Sequence, residues 1–198
     1  MGDPPELVEL FRDIRRCLPL AVPFEALIVR SAGVKYANER DFISGDGAAQ
    51  FGGRWNPVGL AAIYGALDIQ TAMKESYQEL IDYGFGGSIQ PRVFAGARIS
   101  VTRLFDLCNS GIRRRIGFTL ADLLEEDWEA IQDNGNESWT QAIARGAATV
   151  GFEGLKTPSA RDRPKGVNVV LFPDYLDPTS TAQLVNKNQL PPHPDDWK

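Results

Sequence analysis

Residues 51–75 read FGGRWNPVGLAAIYGALDIQTAMKE, and they combine a glycine turn, a proline corner, a short apolar strand and a helix. The glycine pair 52–53 permits positive φ and a close approach of backbone segments. Pro57 fixes its own φ and favours an extended or turn conformation for the residue before it. Such a corner can hold Arg54 and Trp55 in one orientation. We therefore expect the other informative segments to form the walls of a pocket around it.

The segment after the corner predicts a strand followed by an amphipathic helix. Leu60–Ala66 is short and apolar, which is typical of a strand buried on both faces. Asp68 occupies the position of a helix N-cap. Glu75 lies on a polar face of the helix, so periodicity alone indicates a solvated acidic surface there. The opposite stripe is expected to face a core and comprises Ile69, Ala72, Met73, Ser76, Tyr77, Leu80 and Ile81.

The remaining periodicities predict a mixed α+β fold. A helix is expected to start at Asp3, and a second one at Ser138, which forms a capping-box pattern with Gln141. Residues 113–133 are polar and indicate exposed helical faces. Further strands are expected at residues 24–30 with Arg30 at the end, at 92–101 extending through 104–107, and at 168–173. Residues 154–161 predict a strand that leads into a Pro-Ser turn.

The length of 198 residues and the hydrophobic content of 43% fit a single domain. We expect an N-terminal helix within residues 1–22, a core over residues 24–173 and a proline-rich tail over residues 174–198. The prolines of the tail predict that it lies draped over the surface.

The charge of the chain argues against some classes of partner. A net charge of -5 and an isoelectric point near 5.0 disfavour direct, sequence-independent binding of nucleic acid, which requires a basic surface. No apolar run approaches the ~18 residues of a membrane span, and the N-terminus lacks the pattern of a signal peptide. We therefore expect a cytoplasmic protein that does not bind membranes.

The cysteines and the histidine exclude several catalytic classes. Cys17 and Cys108 are far apart in sequence, so neither a zinc knuckle nor a disulfide framework is indicated. The single histidine, His193, falls in the tail, whereas Ser-His-Asp, Cys-His and HExxH chemistry all need a histidine in a rigid site. No metal site is expected, and an enzyme built from this chain works with Arg, Glu, Tyr and Ser.

Two glycine-rich segments resemble nucleotide-binding loops only superficially. GDGAAQ, residues 45–50, has Gln50 where a dinucleotide fingerprint has a small residue. GFGG, residues 84–87, lacks the Gly-Lys-Ser/Thr ending of a P-loop and indicates a turn. The charged, glycine-containing segment 31–50 predicts a loose loop in which Tyr36 could help to cover a ligand.

Six pieces in this order resemble the RES domain family. They are an Arg that ends an early strand (Arg30), GGRWNPVG, IYGA, TAMKE, GLKTPSAR and NVVLFP, and the resemblance spans roughly residues 24–173. It implies an ADP-ribosyltransferase-like fold, with a compact, strongly bent β-sheet core flanked by helices. It also implies consumption of NAD+ by phosphorolysis to nicotinamide and ADP-ribose-1''-phosphate, by the toxin of a toxin–antitoxin pair.

Carried over by position, the resemblance assigns catalytic roles to Arg30, Tyr64, Glu75 and Ser159. Breakage of the nicotinamide–ribose bond expels a neutral leaving group through a cationic, oxocarbenium-like transition state, which a carboxylate can stabilise. That role falls to Glu75. Arginine forks suit pyrophosphate or inorganic phosphate. Expected substrate-binding residues are Arg54, Trp55, Asn56, Tyr36 and Asn168.

Alternatives remain open at this point. Arg54 could bridge loop carbonyls, Tyr64 could be a core residue, and Ser159 could be a turn residue. Other functions of the same fold are transfer of ADP-ribose to a protein, or a non-catalytic module that binds a nucleotide or a protein. The resemblance implies NAD+ as substrate with phosphate as co-substrate, no cofactor and a helix-turn-helix (Xre-like) antitoxin partner, and it allows a homodimer. The role of residues 104–138, an insertion relative to small family members, is open.

Overall fold

The two longest strands, β1 (Val22–Gly33) and β3 (Arg92–Asp106), pair antiparallel along most of their length. The computed structural model describes residues 5–82 and 91–196. The other strands are β2 (Ile63–Ala66), β4 (Gly154–Pro158), β5 (Val167–Leu171) and β6 (Thr181–Leu184). The helices are α1 (Pro5–Cys17), α2 (Glu39–Ser44), α3 (Asp46–Phe51), α4 (Ile69–Asp82), α5 (Ser110–Arg115), α6 (Leu120–Glu125), α7 (Trp128–Asp133) and α8 (Trp139–Val150).

The six strands form a sheet in the order β1-β2-β5-β4-β3-β6 that bends back on itself. Because β3 also pairs with β1, the first five strands close into a ring of pairings, and only β6 extends beyond it. All pairs are antiparallel except β3 with β4, where Leu104 lies opposite Gly154. This closure confirms the expected α+β class with a strongly bent sheet.

Hydrophobic side chains fill both faces of the sheet. On β5, Val170 belongs to one core cluster, whereas Val169 and Leu171 belong to the other. Alternate residues of a strand point to opposite faces, so both faces of β5 are covered. Helices α1 and α8 supply much of the first cluster, and Phe42 of α2 joins the second. A short apolar strand such as NVVLFP is the sequence signature of this arrangement.

The capping box at the start of α8 forms as predicted. Ser138 Oγ accepts a hydrogen bond from Gln141 N, and Gln141 Oε1 accepts one from Ser138 N. A Cβ atom at Gly146 would lie 2.7 Å from a ring carbon of Phe11 and 2.9 Å from Ile14 Cδ1. Glycine therefore permits the close contact of α8 with α1.

The predicted loose loop over residues 31–50 is wrong, because this segment is largely regular. Strand β1 runs three residues past Arg30 to Gly33, so Arg30 does not end it. A short 3-10 turn, α2 and α3 follow. Asn38 caps α2 by accepting a hydrogen bond from Asp41 N, and Gly45, at φ 75°, separates α2 from α3. The polar composition of this segment gave no indication of its two short helices, because their ends are set by the Asn38 cap and by Gly45 in the left-handed region.

The surface tail predicted for residues 174–198 is also wrong in part. Thr181–Leu184 pairs with Ala97–Ser100 of β3, and Leu184 is buried. Prolines 178 and 191 bracket a stretch without proline, so backbone N–H groups remain available there for a ladder. The tail therefore completes the sheet.

The predicted core stripe of α4 is wrong at two positions, Ile69 and Met73, which are about half exposed. Ala72 is buried as predicted, and Thr71, which was not part of the stripe, is buried as well. Thr71 Oγ1 donates to a carboxylate of Asp68, the confirmed N-cap, or of Asp162, and these polar contacts allow a hydroxyl to occupy the buried position.

Some predictions fall outside the described residues. They concern the side chains of Leu80 and Ile81, the helix start at Asp3 and the GFGG turn. No helix in the described part has the length and apolarity to cross a membrane.

Candidate active site

Neighbouring strands β1, β2 and β5 and helix α4 enclose a cleft of about 360 Å³, called the first cleft here. Each element contributes one residue that the sequence assigned to a site: Arg30 from β1, Tyr64 from β2, Asn168 from β5 and Glu75 from α4. Segments up to 138 residues apart in the chain thus meet because their strands are adjacent in the sheet. The polar lining also includes Ser31, Ser76 and Arg92, which sequence reasoning did not assign.

Glu75 is held by two hydrogen bonds although its side chain is exposed. Its Oε1 accepts from Ser159 Oγ at 2.5 Å and from Asn168 Nδ2 at 2.7 Å. Ser159 Oγ itself accepts from the backbone N–H groups of Arg161 and Asp162, at 3.1 and 2.8 Å. With its acceptor sites used in this way, the single hydroxyl proton of Ser159 points to Glu75. The carboxylate is therefore fixed rather than free on a solvated face.

Tyr64 joins the strand β2 to the Arg-Trp-Asn-Pro corner. Its hydroxyl donates to Asn56 Oδ1 at 2.7 Å and accepts from Trp55 N at 2.9 Å. Burial raises the pKa of Tyr64 well above its ordinary value, so the phenol is neutral at physiological pH. Tyr64 also lines the first cleft, so this residue both supports the corner and forms part of the cleft wall.

The two other corner residues differ in what they can offer a ligand. Asn56 is fully buried, and its Nδ2 donates to the carbonyls of Ala48, Pro57 and Leu60 at 2.8, 3.2 and 3.0 Å. Its amide therefore holds the corner together and orients Tyr64. Trp55 is 3% exposed and packs into a hydrophobic core. It also lines a second cleft.

The second cleft, of about 220 Å³, lies beside the first, and both are lined by Tyr64, Glu75 and Asn168. Glu75 thus lies at the junction of two spaces. Trp128 and Arg161 also line the second cleft. Sequence analysis missed Trp128 because the 113–133 region indicated only exposed helical faces. It missed Arg161 because that residue follows a predicted Pro-Ser turn, which indicated no site.

Arg54 lines the second cleft and also bridges carbonyls. Its Nη1 donates to Leu123 O and to Glu126 O, both at 3.1 Å. Burial lowers the pKa of Arg54, while the carboxylates of Glu126 and Glu75 favour its charged form. Arg54 therefore bridges the carbonyls at the end of α6, and its charge lies near Glu75. Its role in substrate binding stays a prediction.

Arg30 is the most desolvated cation of the first cleft. Its Nη1 donates to Tyr64 O at 3.0 Å, while its Nε is buried with no hydrogen-bond partner in the described part of the chain. Burial lowers the pKa of Arg30 to about 10, with Tyr64 acting to raise it and Arg92 to lower it. The guanidinium is charged at pH 7 and retains donors for a ligand.

Three predicted site residues line neither cleft in the described structure: Asn56, Ser159 and Tyr36. Asn56 and Ser159 hydrogen-bond Tyr64 and Glu75, which do line the clefts. Tyr36 lies in the 3-10 turn Val34–Tyr36 after β1 and is 55% exposed.

Among residues 5–82 and 91–196, no group of three or more His, Cys, Asp or Glu side chains is positioned to hold a metal ion.

Comparison with known proteins gives consistent matches. Residues 27–191 match the RES domain family. Proteins named NAD(+) phosphorylase MbcT from Mycobacterium bovis and Mycobacterium tuberculosis are 36% identical over 106 residues, which is 50% of this chain and 56% of theirs. The chain thus spans about half the length of the curated relatives it matches.

A solved structure extends the similarity to nearly the whole fold. The crystal structure of the M. tuberculosis MbcT-MbcA toxin-antitoxin complex contains a chain with a TM-score of 0.66 and 25% identity, covering 90% of both chains. The family match begins within β1 and includes the other five strands, so it reaches β6, beyond the limit of residue 173 that the motifs indicated. From these matches, this chain belongs to the RES domain family.

Proposed function

We propose that this protein cleaves the nicotinamide–ribose bond of NAD+ by phosphorolysis. The observation that carries the proposal is the carboxylate of Glu75, fixed by Ser159 and Asn168 at the junction of two clefts. The relatives named NAD(+) phosphorylase support it. In this proposal Glu75 and Ser159 are catalytic, together with Arg30 and Tyr64.

The chemistry follows from the charges around the reacting carbon. When the bond between ribose C1'' and the nicotinamide nitrogen breaks, its electron pair leaves with the nicotinamide, which becomes neutral. Positive charge develops on the ribose, and the carboxylate of Glu75 stabilises it. An oxygen of inorganic phosphate then forms the new bond to C1'', which gives ADP-ribose-1''-phosphate. No proton has to reach the leaving group, so the site needs no general acid.

The remaining side chains bind and orient the substrate. Arg30 and Arg54 supply guanidinium charge on the two sides of Glu75, where phosphoryl oxygens need donors. Tyr64 lines both clefts, and its proposed role is to contact the planar nicotinamide ring. Trp55 and Asn168 are wall residues, and Asn56 acts through Tyr64. Tyr36 lies on an exposed turn and lines neither described cleft, so in this proposal it contacts only a part of the substrate that extends beyond the clefts.

A partner protein is part of the proposal. The similar solved structure is of a toxin–antitoxin complex, and we infer that this chain is likewise a toxin neutralised by an antitoxin. A helix-turn-helix (Xre-like) partner, a homodimer and residence in the cytoplasm belong to the same proposal.

The test is nicotinamide release from NAD+ by the purified chain, freed of any partner and followed by chromatography with and without inorganic phosphate. Phosphate-dependent release with a phosphorylated ADP-ribose product is the expected result. Release without phosphate would indicate hydrolysis, and label on a co-incubated protein would indicate protein ADP-ribosylation. A folded chain that binds NAD+ by calorimetry without turnover would overturn the enzymatic proposal.

A further inference from the structure

Three side chains of the first cleft belong to none of the motifs and form a directed chain of hydrogen bonds. Arg92 Nε donates to Ser31 Oγ at 2.8 Å, and the oxygens of Ser31 and Ser76 lie 2.6 Å apart. Ser76 Oγ donates its proton to Ala72 O at 2.7 Å. The proton between the two serines is therefore that of Ser31, and the chain runs from Arg92 through Ser31 to Ser76. This chain fixes the guanidinium of an otherwise exposed arginine at the cleft.

The described lining of the first cleft has two guanidinium groups, of Arg30 and Arg92, and one carboxylate, of Glu75. Neither Arg30 nor Arg92 lies within ion-pair distance of a carboxylate in the described part of the chain. The Nε of Arg30 is buried without a partner, and an unsatisfied buried donor is costly. The two guanidinium groups also oppose each other, since Arg92 acts to lower the pKa of Arg30.

We propose that Arg92, oriented by Ser31 and Ser76, forms with Arg30 a subsite for a phosphoryl anion in the first cleft. The inference rests on the proposed function and deepens it. The anion is either the pyrophosphate of the dinucleotide or the inorganic phosphate co-substrate, which share the same oxygen chemistry. Planar guanidinium forks bind such oxygens in pairs, and a serine-fixed Nε pre-organises the second fork. Arg92 is then a substrate-binding residue on β3, a strand from which the sequence motifs take no residue.

The experiment compares Arg92→Gln with Arg98→Gln, an exposed arginine on the same strand that lines neither cleft in the described structure. Initial rates are measured with NAD+ and inorganic phosphate varied separately. Arg92→Gln should raise the KM of one of them at least tenfold and change kcat by less than about threefold, while Arg98→Gln changes neither. A raised KM for phosphate alone assigns the co-substrate, and a raised KM for NAD+ alone assigns the pyrophosphate. Unchanged KM values for both would overturn the subsite.

A second readout separates this inference from failure of the proposed function. Calorimetry on the Glu75→Gln protein, with ADP-ribose and inorganic phosphate as probes, measures binding without turnover. Adding Arg92→Gln should weaken binding of one probe at least tenfold, and Arg92→Lys should restore part of the loss by keeping the charge without the fork. If the chain turns nothing over but this loss is seen, the subsite stands and the phosphorolysis proposal fails. Equal binding with and without Arg92 overturns the subsite, whether or not the enzyme turns over.

Discussion

The hydroxyl of Ser159 lies 2.5 Å from Oε1 of Glu75, across 84 residues of chain. This contact joins the turn after β4 to the outer face of α4. It changes the meaning of Glu75, because a carboxylate on a polar helix face is ordinarily only solvated. Here it has one orientation, set from outside its own helix.

Glu75→Gln should reduce nicotinamide release by a hundredfold or more. The substitution keeps the shape of the side chain but removes the negative charge that stabilises the developing cation. Turnover is measured by chromatography and folding by circular dichroism, which should be unchanged. Glu25→Gln, at an exposed position on β1, is the matched control and should retain full activity. Full activity of Glu75→Gln would exclude the catalytic role.

A comparison of Ser159→Ala with Asn168→Ala should separate the effect on fold stability from the effect on the orientation of Glu75. Each removes one hydrogen bond to Glu75, so each should lower kcat about tenfold. Ser159→Ala also leaves the N–H groups of Arg161 and Asp162 without their acceptor, which should cost about 1–3 kcal/mol of unfolding free energy. Asn168→Ala should cost less than about 0.5 kcal/mol. Urea unfolding and kcat measurements on both variants check this, and equal stability losses would contradict it.

Local patterns predicted those features of the fold whose contacts are short in sequence. The N-cap at Asp68 and the capping box at Ser138 depend on residues three positions away, and both are present. The RES resemblance, rather than any period, singled out Glu75 and Ser159. Arg92 went unassigned because nothing near it in sequence indicates that Ser31 is its partner 61 residues away.

The errors of sequence reasoning have the same origin. The hydroxyl of Thr71, which is buried on α4, has an acceptor in Asp68 nearby and a second one in Asp162, 91 residues away, which no helical period can reveal. Strand β6 was missed because four residues with little hydrophobic alternation gain their order from pairing with β3. Periodicity records only the average environment of a segment. It cannot identify which distant group satisfies a polar side chain.

Tyr64→Phe should destabilise the fold by about 2 kcal/mol at pH 8, because Trp55 N and Asn56 Oδ1 each lose a buried partner.

The difference in the free energy of unfolding between wild type and Tyr64→Phe should depend on pH. The native pKa of Tyr64 is raised, so above about pH 10 the unfolded chain releases a proton that the native state keeps. Stability from Tyr64 is thus complete below pH 10 and falls as the pH rises further. Urea unfolding of both proteins at pH 8 and 11 should show the difference shrinking by about 1.4 kcal/mol. A constant difference would contradict the buried, neutral phenol.

Cys108 should be a slow thiol. Burial, and secondarily the carboxylate of Asp106, raise the pKa of Cys108 to about 11 from an ordinary value of 9.0. Because only the thiolate reacts, alkylation by iodoacetamide at pH 8 should be about a hundredfold slower than for a model thiol. Mass spectrometry of the native protein locates the label, and the urea-unfolded chain serves as the control. Labelling of native Cys108 at the unfolded rate would contradict the prediction.

Glu153→Gln should show that the C-terminal segment is part of the fold. Glu153 is fully buried, and its carboxylate accepts from Thr102 Oγ1, from Arg103 N and, in the C-terminal segment, from Asp177 N. Burial alone would raise the pKa of Glu153, but the hydrogen bonds outweigh it and lower the pKa. The stability that this group contributes is therefore present above about pH 4.5 and is lost as the pH falls through the native pKa.

The amide of the variant cannot accept at both positions, so Glu153→Gln should cost about 3 kcal/mol at pH 7. The difference in unfolding free energy between the variant and wild type should become smaller below pH 4.5, where the wild-type carboxylate takes up a proton on unfolding. Urea unfolding at pH 7 and at pH 3.5 measures both differences, with exposed Glu25→Gln as a control that should remain within about 0.5 kcal/mol of wild type. Because Asp177 N is among the donors, protection of the β6 amides from hydrogen exchange should fall with the same substitution. Unchanged protection would show that β6 is held by its pairing with β3 alone.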